Sequence, residues 1–256
     1  MGKSTLQQRV EQANKAGRIA RIPFITAGFP TKAEFVGILR ELDAHGADVI
    51  EVGVPFSDPV ADGPVVEAAS RVALEQGVTL PWILEQLAGL TPRLKAGVVL
   101  MGYYNPFLQH GLERLAADAA KAGVEGFIVP DLPLGEDAPM RAALRAHSID
   151  LIPLVGLNTS EERMREYAAT ASGYVYVVSV MGTTGGTNSM NATVEDALER
   201  VSRVFSVPVA LGFGIHSPQQ LASLRVKPQA AVFGSALLRH LEAGGTVAEF
   251  MKPWVS

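Results

Sequence analysis

The chain has 256 residues, 48% of them hydrophobic and 19% charged, with no cysteine and a formal net charge of −4. That composition excludes a disordered chain, a disulfide scaffold, a thiolate nucleophile and a Cys-ligated zinc, and it argues against a nucleic-acid surface, which needs a basic stripe to neutralise phosphates. No apolar run approaches the ~20 residues that cross a bilayer, and the amino terminus MGKSTLQQRVEQANKAG lacks the apolar core of a signal peptide, so the expectation is a cytoplasmic protein acting on a small molecule, with neither nucleic acid nor membrane as partner.

An amphipathic helix is expected at residues 4 to 16. Eight short apolar runs follow: IPFIT (22 to 26), DVIEVG (48 to 53), AGVVLM (96 to 101), GFIVP (126 to 130), DLIPLV (150 to 155), YVYVVS (174 to 179), VPVALG (207 to 212) and AAVFG (230 to 234). They are too short for helices, rich in Val and Ile, and lack polar alternation, which is the pattern of parallel strands covered on both faces. Between them lie segments of helical period. TKAEFVGILRELDAHG opens with Thr31 and Glu34 in capping-box spacing, sets Phe35, Ile38, Leu39 and Leu42 on one face, and stops at Gly46. SEERMREYAAT and TVEDALERV start in the same way, and SPQQLASL places Ser217 as N-cap with Pro218 at the first helical position. Strand then helix, eight times, predicts an α/β fold: a single (β/α)8 TIM barrel domain over 1–256 with one extra N-terminal helix. A doubly wound open sheet is the alternative, but its GxGxxG fingerprint should follow the first strand, and ITAGFPT contains none.

In barrel enzymes the site is built from the loops at the carboxyl ends of the strands. Glu51 lies inside the run Val49 to Val54, where an ionised carboxylate without partners is costly. A buried ion pair is one explanation, yet no other predicted strand interior holds a basic residue. Catalysis is the other, because burial raises a carboxyl pKa and suits it to give and take protons near neutrality. Asp62, eleven positions on, sits on the loop leaving the same strand, where it could flank a substrate with Glu51 or simply cap a helix that has Pro64 just inside. Asp58 in FSDP is open to the same capping reading. Three later loops, MGTTGGTNS, GFGIHS and GSALL, carry the glycines and small hydroxyl residues that let backbone N–H groups approach an anion, with a helix starting at Ser235 aimed at the same point. Tight strand-to-helix turns explain these glycines equally well taken one loop at a time. The seven lysines fall in helices, turns or strand starts and His216 stands apart from the helical histidines, so neither a Schiff-base lysine nor a histidine metal cluster is expected.

Taken together, these motifs resemble the alpha subunit of tryptophan synthase from RIPFITAGFPT to GSALL. ELDAHGADVIEVGVPFSDPVADGP, residues 41 to 64, is similar to the family signature almost letter for letter, and GYYNPF, VPDLP, GTTGG, GFGI and GSA follow in the family's order. PLVGLNTS lacks a proline common in the family, and VSVMGTTGG differs from several members. The resemblance implies retro-aldol cleavage of indole-3-glycerol phosphate to indole and glyceraldehyde 3-phosphate, with Glu51 as acid/base and Asp62 as partner of the indole nitrogen. It further implies Phe24, Leu100, Tyr103, Tyr176 and Phe213 around the indole, and Thr184, Gly185, Gly214, Gly234 and Ser235 at the phosphate. MGTTGGTNSM looks like the family's mobile lid, with Thr184 steadying Asp62 or Glu51. The same resemblance implies no metal and no cofactor in this chain. It also implies an αββα heterotetramer whose PLP-containing beta subunit docks on NPF (105 to 107), the 55 to 61 loop and VPDLP.

Overall fold

A computed structural model describes residues 3–178, 187–212 and 214–255, with only the backbone described for 187–191. Its strands are β1 (Ala20–Thr26), β2 (Val49–Gly53), β3 (Gly97–Met101), β4 (Gly126–Ile128), β5 (Asp150–Leu151), β6 (Leu154–Gly156), β7 (Val175–Val178), β8 (Val209–Gly212) and β9 (Ala230–Phe233). Every neighbouring pair is parallel, in the order β5-β4-β3-β2-β1-β9-β8-β7-β6. β5 and β6 are two pieces of the single strand expected at 150 to 155. Pro153 has no N–H for the ladder, so the strand breaks there. The break also closes the ring: Ile152 N–H donates to Phe127 O on one side at 2.9 Å, and Pro153 O accepts from Tyr176 N–H on the other at 3.0 Å. The expected (β/α)8 barrel is therefore the observed fold.

The strands bury both faces, and the two faces differ in what they meet. Val49 and Val99 point inward with Ala20, Ile22, Ile128, Tyr174, Tyr176, Ala210 and Val232. Ile50, Val52, Val98 and Leu100 pack outward against the helices. The N-terminal helix Thr5–Lys15, capped by Ser4, sends Leu6, Val10 and Ala13 into the inward cluster. A side chain at Gly126 or Gly97 would meet Leu6 at 2.7 or 2.9 Å, so both glycines make room for it. Two bidentate ion pairs fasten this end of the molecule: Arg9 on Glu125 at 2.9 and 2.6 Å, and Arg18 on Asp48 at 2.6 and 2.7 Å. One end of the barrel is thus plugged, which leaves the carboxyl ends of the strands for chemistry.

Helix starts follow the expected caps with local differences. Phe35, Ile38, Leu39 and Leu42 are buried as their spacing predicts, although the α-helix runs Phe35–Ala44 and Thr31 and Glu34 close only the turn before it. Ser160 caps Glu161–Ala168 through Arg163 N–H. The helix Thr187–Val204 starts six residues before Thr193, because no Gly or Pro in between stops it.

Candidate active site

The carboxyl ends of β2, β3, β7, β8 and β9 surround a cavity lined by Glu51, Asp62, Phe24, Met101, Tyr176, Val232, Gly214 and Ser235, among others. Glu51 reaches it because β2 alternates: Val49 and Glu51 face inward while Ile50 and Val52 face the helices. Parallel register sets Glu51 beside Phe24 on β1 and Val99 on β3. Its side chain is 1% exposed, and Oε2 has no hydrogen-bond partner among the described residues. Burial, reinforced by the nearby Asp62 charge, pushes the Glu51 carboxyl up to about 8. Among the described residues the ion-pair explanation is not realised. β1 starts two residues earlier than expected and takes in Arg21, but that residue donates to Gly46 O and pairs its backbone with Asp48 at the opposite strand end.

Asp62 does not cap the helix that follows. Gly63 is the N-cap of Pro64–Glu75, with Pro64 inside the first turn, and this leaves the Asp62 carboxylate free to line the cavity. Burial pushes Asp62 up to about 6, opposed by a hydrogen bond from the Tyr103 hydroxyl and assisted by the charge of Glu67. The Tyr103 oxygen in turn accepts from Ala61 N–H at 2.9 Å. Near neutrality the site therefore holds one protonated carboxyl, Glu51, and one ionised carboxylate, Asp62. Asp58 stays outside, exposed, with Ser57 donating to it.

Phe24 and Tyr176 form walls whose positions depend on missing Cβ atoms. A methyl at Gly53 would lie 2.5 Å from Phe24 Cζ, one at Gly234 would lie 2.8 Å from Phe24 Cβ, and one at Gly212 would lie 2.2 Å from the Tyr176 hydroxyl. Gly214, Gly234 and Ser235 line the β8 and β9 side together, and Ser235 opens the helix Ser235–Glu242. Tyr103 is buried behind Asp62 and stacks on Phe56 at 5.1 Å, so it supports the carboxylate and does not form a wall. Leu100 requires correction. It is fully buried in the helix-facing core, while the next residue, Met101, lines the cavity. In a strand a shift of one residue moves a side chain to the other face, and Met101 shares the inward face with Val99. Thr184, Gly185 and Phe213 lie outside the described residues.

Sequence reasoning missed Met101, Val66, Ile215, His216 and Val232. Counting in twos from Val99 or Ala230 finds Met101 and Val232, whereas Val66, on the first turn of a helix, has no sequence signal. Two other inward polar atoms, Tyr174 OH and Thr26 Oγ1, are buried without hydrogen-bond partners among the described residues. Burial and the Glu51 charge push the Tyr174 and Tyr176 hydroxyls well above the ordinary tyrosine value. Among the described residues, no Lys or Arg lines the cavity. Among the described residues, no group of three His, Asp or Glu could hold a metal ion. No described helix is long and apolar enough to cross a membrane.

Comparison with known proteins adds three findings. Residues 10–252 match the family described as "Tryptophan synthase alpha chain". The tryptophan synthase alpha chain of Nitratidesulfovibrio vulgaris (strain Hildenborough) is 64% identical over 254 residues, covering 99% of both chains, and that of Solidesulfovibrio magneticus is 59% identical with the same coverage. Among solved structures, Mycobacterium tuberculosis tryptophan synthase in space group F222 superposes with a TM-score of 0.88 at 31% identity, covering 98% of both chains. The alpha subunit from Legionella pneumophila (strain Paris) superposes with a TM-score of 0.86 at 29% identity, covering 98% of this chain and 95% of that one.

Proposed function

The chain belongs to the tryptophan synthase alpha chain family, the lyase that cleaves indole-3-glycerol phosphate in tryptophan biosynthesis, and from that premise we propose that Glu51 and Asp62 are its catalytic pair. The difficulty of this retro-aldol reaction is that an aromatic indole carbon is a poor leaving group. Protonation at C3 turns the ring into an indolenine, whose iminium can accept the electrons of the breaking C–C bond. Glu51, protonated at neutrality, delivers that proton. The resulting carboxylate then takes the proton from the side-chain hydroxyl as the carbonyl of glyceraldehyde 3-phosphate forms, so the acid is restored and no net proton is consumed. Asp62, ionised at the same pH, accepts the ring N–H and stabilises the positive charge that grows there.

The observation that carries this reading is the pair of differently tuned carboxyls on one apolar-walled cavity. Phe24, Tyr176 and Met101 supply the walls for a flat bicyclic ring. Gly214, Gly234 and Ser235 hold the phosphate through backbone N–H groups and a helix N-terminus. Thr184, Gly185 and Phe213 complete the site by the family resemblance alone. The decisive experiment is Glu51→Gln, which keeps shape and removes the titrating group. Indole release should fall by a factor of about 10² to 10⁴, and undiminished turnover removes the assignment.

Members of this family work with a beta subunit and have no cofactor of their own. We infer the αββα heterotetramer, with PLP only in the beta subunit. Support comes from the loop around Val60, the most exposed large hydrophobic residue among those described at 85%, and from Tyr104 N–H, which donates to Asp131 at 2.9 Å and ties the GYYNPF and VPDLP segments into one surface. The contact of Leu6, Val10 and Ala13 with the strand interior supports a single barrel domain over 1–256. A cytoplasmic location belongs to the same reading and rests on the family's biosynthetic role.

A further inference from the structure

We propose that His216 is a specificity-determining residue whose imidazole contacts the substrate phosphate. The inference rests on the reading that Gly214, Gly234 and Ser235 hold that group. β8 and β9 pair directly, Ala210 beside Ala230 and Leu211 beside Ala231, so the turn after β8 and the helix start after β9 lie side by side at the cavity mouth. His216 lines the cavity on that turn. Gln220 fixes the turn's backbone: its Oε1 accepts from His216 N–H at 2.5 Å and Ser217 N–H at 3.0 Å, and its Nε2 donates to Gly214 O at 3.1 Å. The imidazole itself is exposed and makes no hydrogen bond or ion pair among the described residues.

Charge gives this position its consequence. Among its described residues the cavity carries two carboxyl groups, Glu51 and Asp62, and no Lys or Arg. A phosphate dianion entering it meets like charge from Asp62, while the backbone N–H groups and the N-terminus of Ser235–Glu242 offer partial charges only. Among the described residues that line the cavity, His216 is the one of a basic type. Placed over the phosphate, it strengthens binding of phosphorylated ligands and leaves the indole end untouched.

The test uses the full chain, with its beta subunit in the activity assay, as wild type, His216→Ala and His216→Arg. Binding of glycerol 3-phosphate and inorganic phosphate is measured by calorimetry, and KM by indole release from indole-3-glycerol phosphate. The alanine variant should weaken glycerol 3-phosphate binding and raise KM by about three- to tenfold, a modest change because the ring is exposed. The loss should appear in KM and not in kcat, arginine should restore most of it, and inhibition by free indole should not change. Equal phosphate affinity in wild type and alanine variant overturns the proposal, as does a loss that arginine fails to restore or one that extends to indole. A wild-type protein that cleaves its substrate yet binds neither glycerol 3-phosphate nor inorganic phosphate overturns the phosphate reading of these loops together with the role of His216.

Discussion

Tyr103 donates its hydroxyl to the Asp62 carboxylate while the same oxygen accepts from Ala61 N–H, so one aromatic residue behind the cavity fixes both the backbone and the charge of the loop that carries Asp62. That bond opposes the burial that pushes Asp62 up to about 6. Tyr103→Phe removes it, and the Asp62 carboxyl should titrate higher still. The acidic limb of the kcat/KM profile should move to higher pH, with activity lost most at pH 6 and recovered in part toward pH 8. A profile that drops evenly at every pH would show that Tyr103 acts on packing and not on the charge of Asp62.

Folding holds Glu51 in its protonated form, a state that rising pH opposes. Its folded value of about 8 lies above the 4.5 of an unperturbed carboxyl. Between those values the folded chain keeps a proton that the unfolded chain has released, so this group's contribution to stability is complete below pH 4.5 and declines as pH rises to about 8, at ~1.4 kcal/mol per pH unit. Glu51→Gln has no such slope. Urea melts at pH 5 and pH 8 should show the variant gaining on the wild type as pH rises, by a few kcal/mol at most. Parallel pH dependence would mean that Glu51 is not buried in its protonated form.

The strands, the barrel and the carboxyl pair were legible because each has a local signal: Val- and Ile-rich runs, repeated helix starts, and a Glu where both strand faces should be apolar. What was not legible depends on phase or on distant partners. The division of the fifth strand at Pro153 shows only once both neighbours are in place. The capping reading of Asp62 and its catalytic reading differ by one residue of helix phase, which Gly63 decides. Leu100 and Met101 differ by one residue of strand phase, and here the resemblance pointed to the wrong face.

That difference of phase can be separated by experiment. Leu100→Ala removes a fully buried side chain from the helix-facing core and should cost about 2–5 kcal/mol of stability, with KM near wild type in the folded fraction. Met101→Ala widens the cavity wall and should raise KM several-fold at a smaller cost in stability. Denaturant melts paired with steady-state kinetics decide between them, and the reverse pattern would place Leu100 at the substrate after all.

Gly53 carries no function of its own but sets where Phe24 can sit. An alanine there needs the ring to move, since the new methyl lies 2.5 Å from Cζ, and the ring's open side is the cavity. Gly53→Ala should therefore lower kcat/KM by about tenfold, a displaced wall being felt at the reacting atoms. Shortening the ring with Phe24→Leu should cost activity alone yet recover part of the Gly53→Ala loss. Strict additivity of the two would show that they do not compete for the same space.

The loop leaving β2 joins the Asp62 carboxylate to Val60, the most exposed large hydrophobic side chain among the described residues. Val60 stands in solvent two residues before Asp62, and Phe56 on the same loop stacks on Tyr103, whose hydroxyl holds Asp62. A partner that covers Val60 must press on this loop, and any shift passes through Phe56 and Tyr103 to the carboxylate that lines the cavity. Val60→Asp adds a charge at a surface that desolvates on docking and should weaken the beta-subunit complex by about tenfold or more while leaving the isolated chain's melting temperature unchanged. Phe56→Ala breaks the link without removing the apolar anchor, so it should preserve most of the affinity and reduce any rise in rate measured on adding the beta subunit. Measuring complex formation and indole release in parallel separates docking from its effect on Asp62. If both variants lost affinity and activation in the same proportion, the loop would serve adhesion only, and activation would have to reach the carboxyl pair by another route.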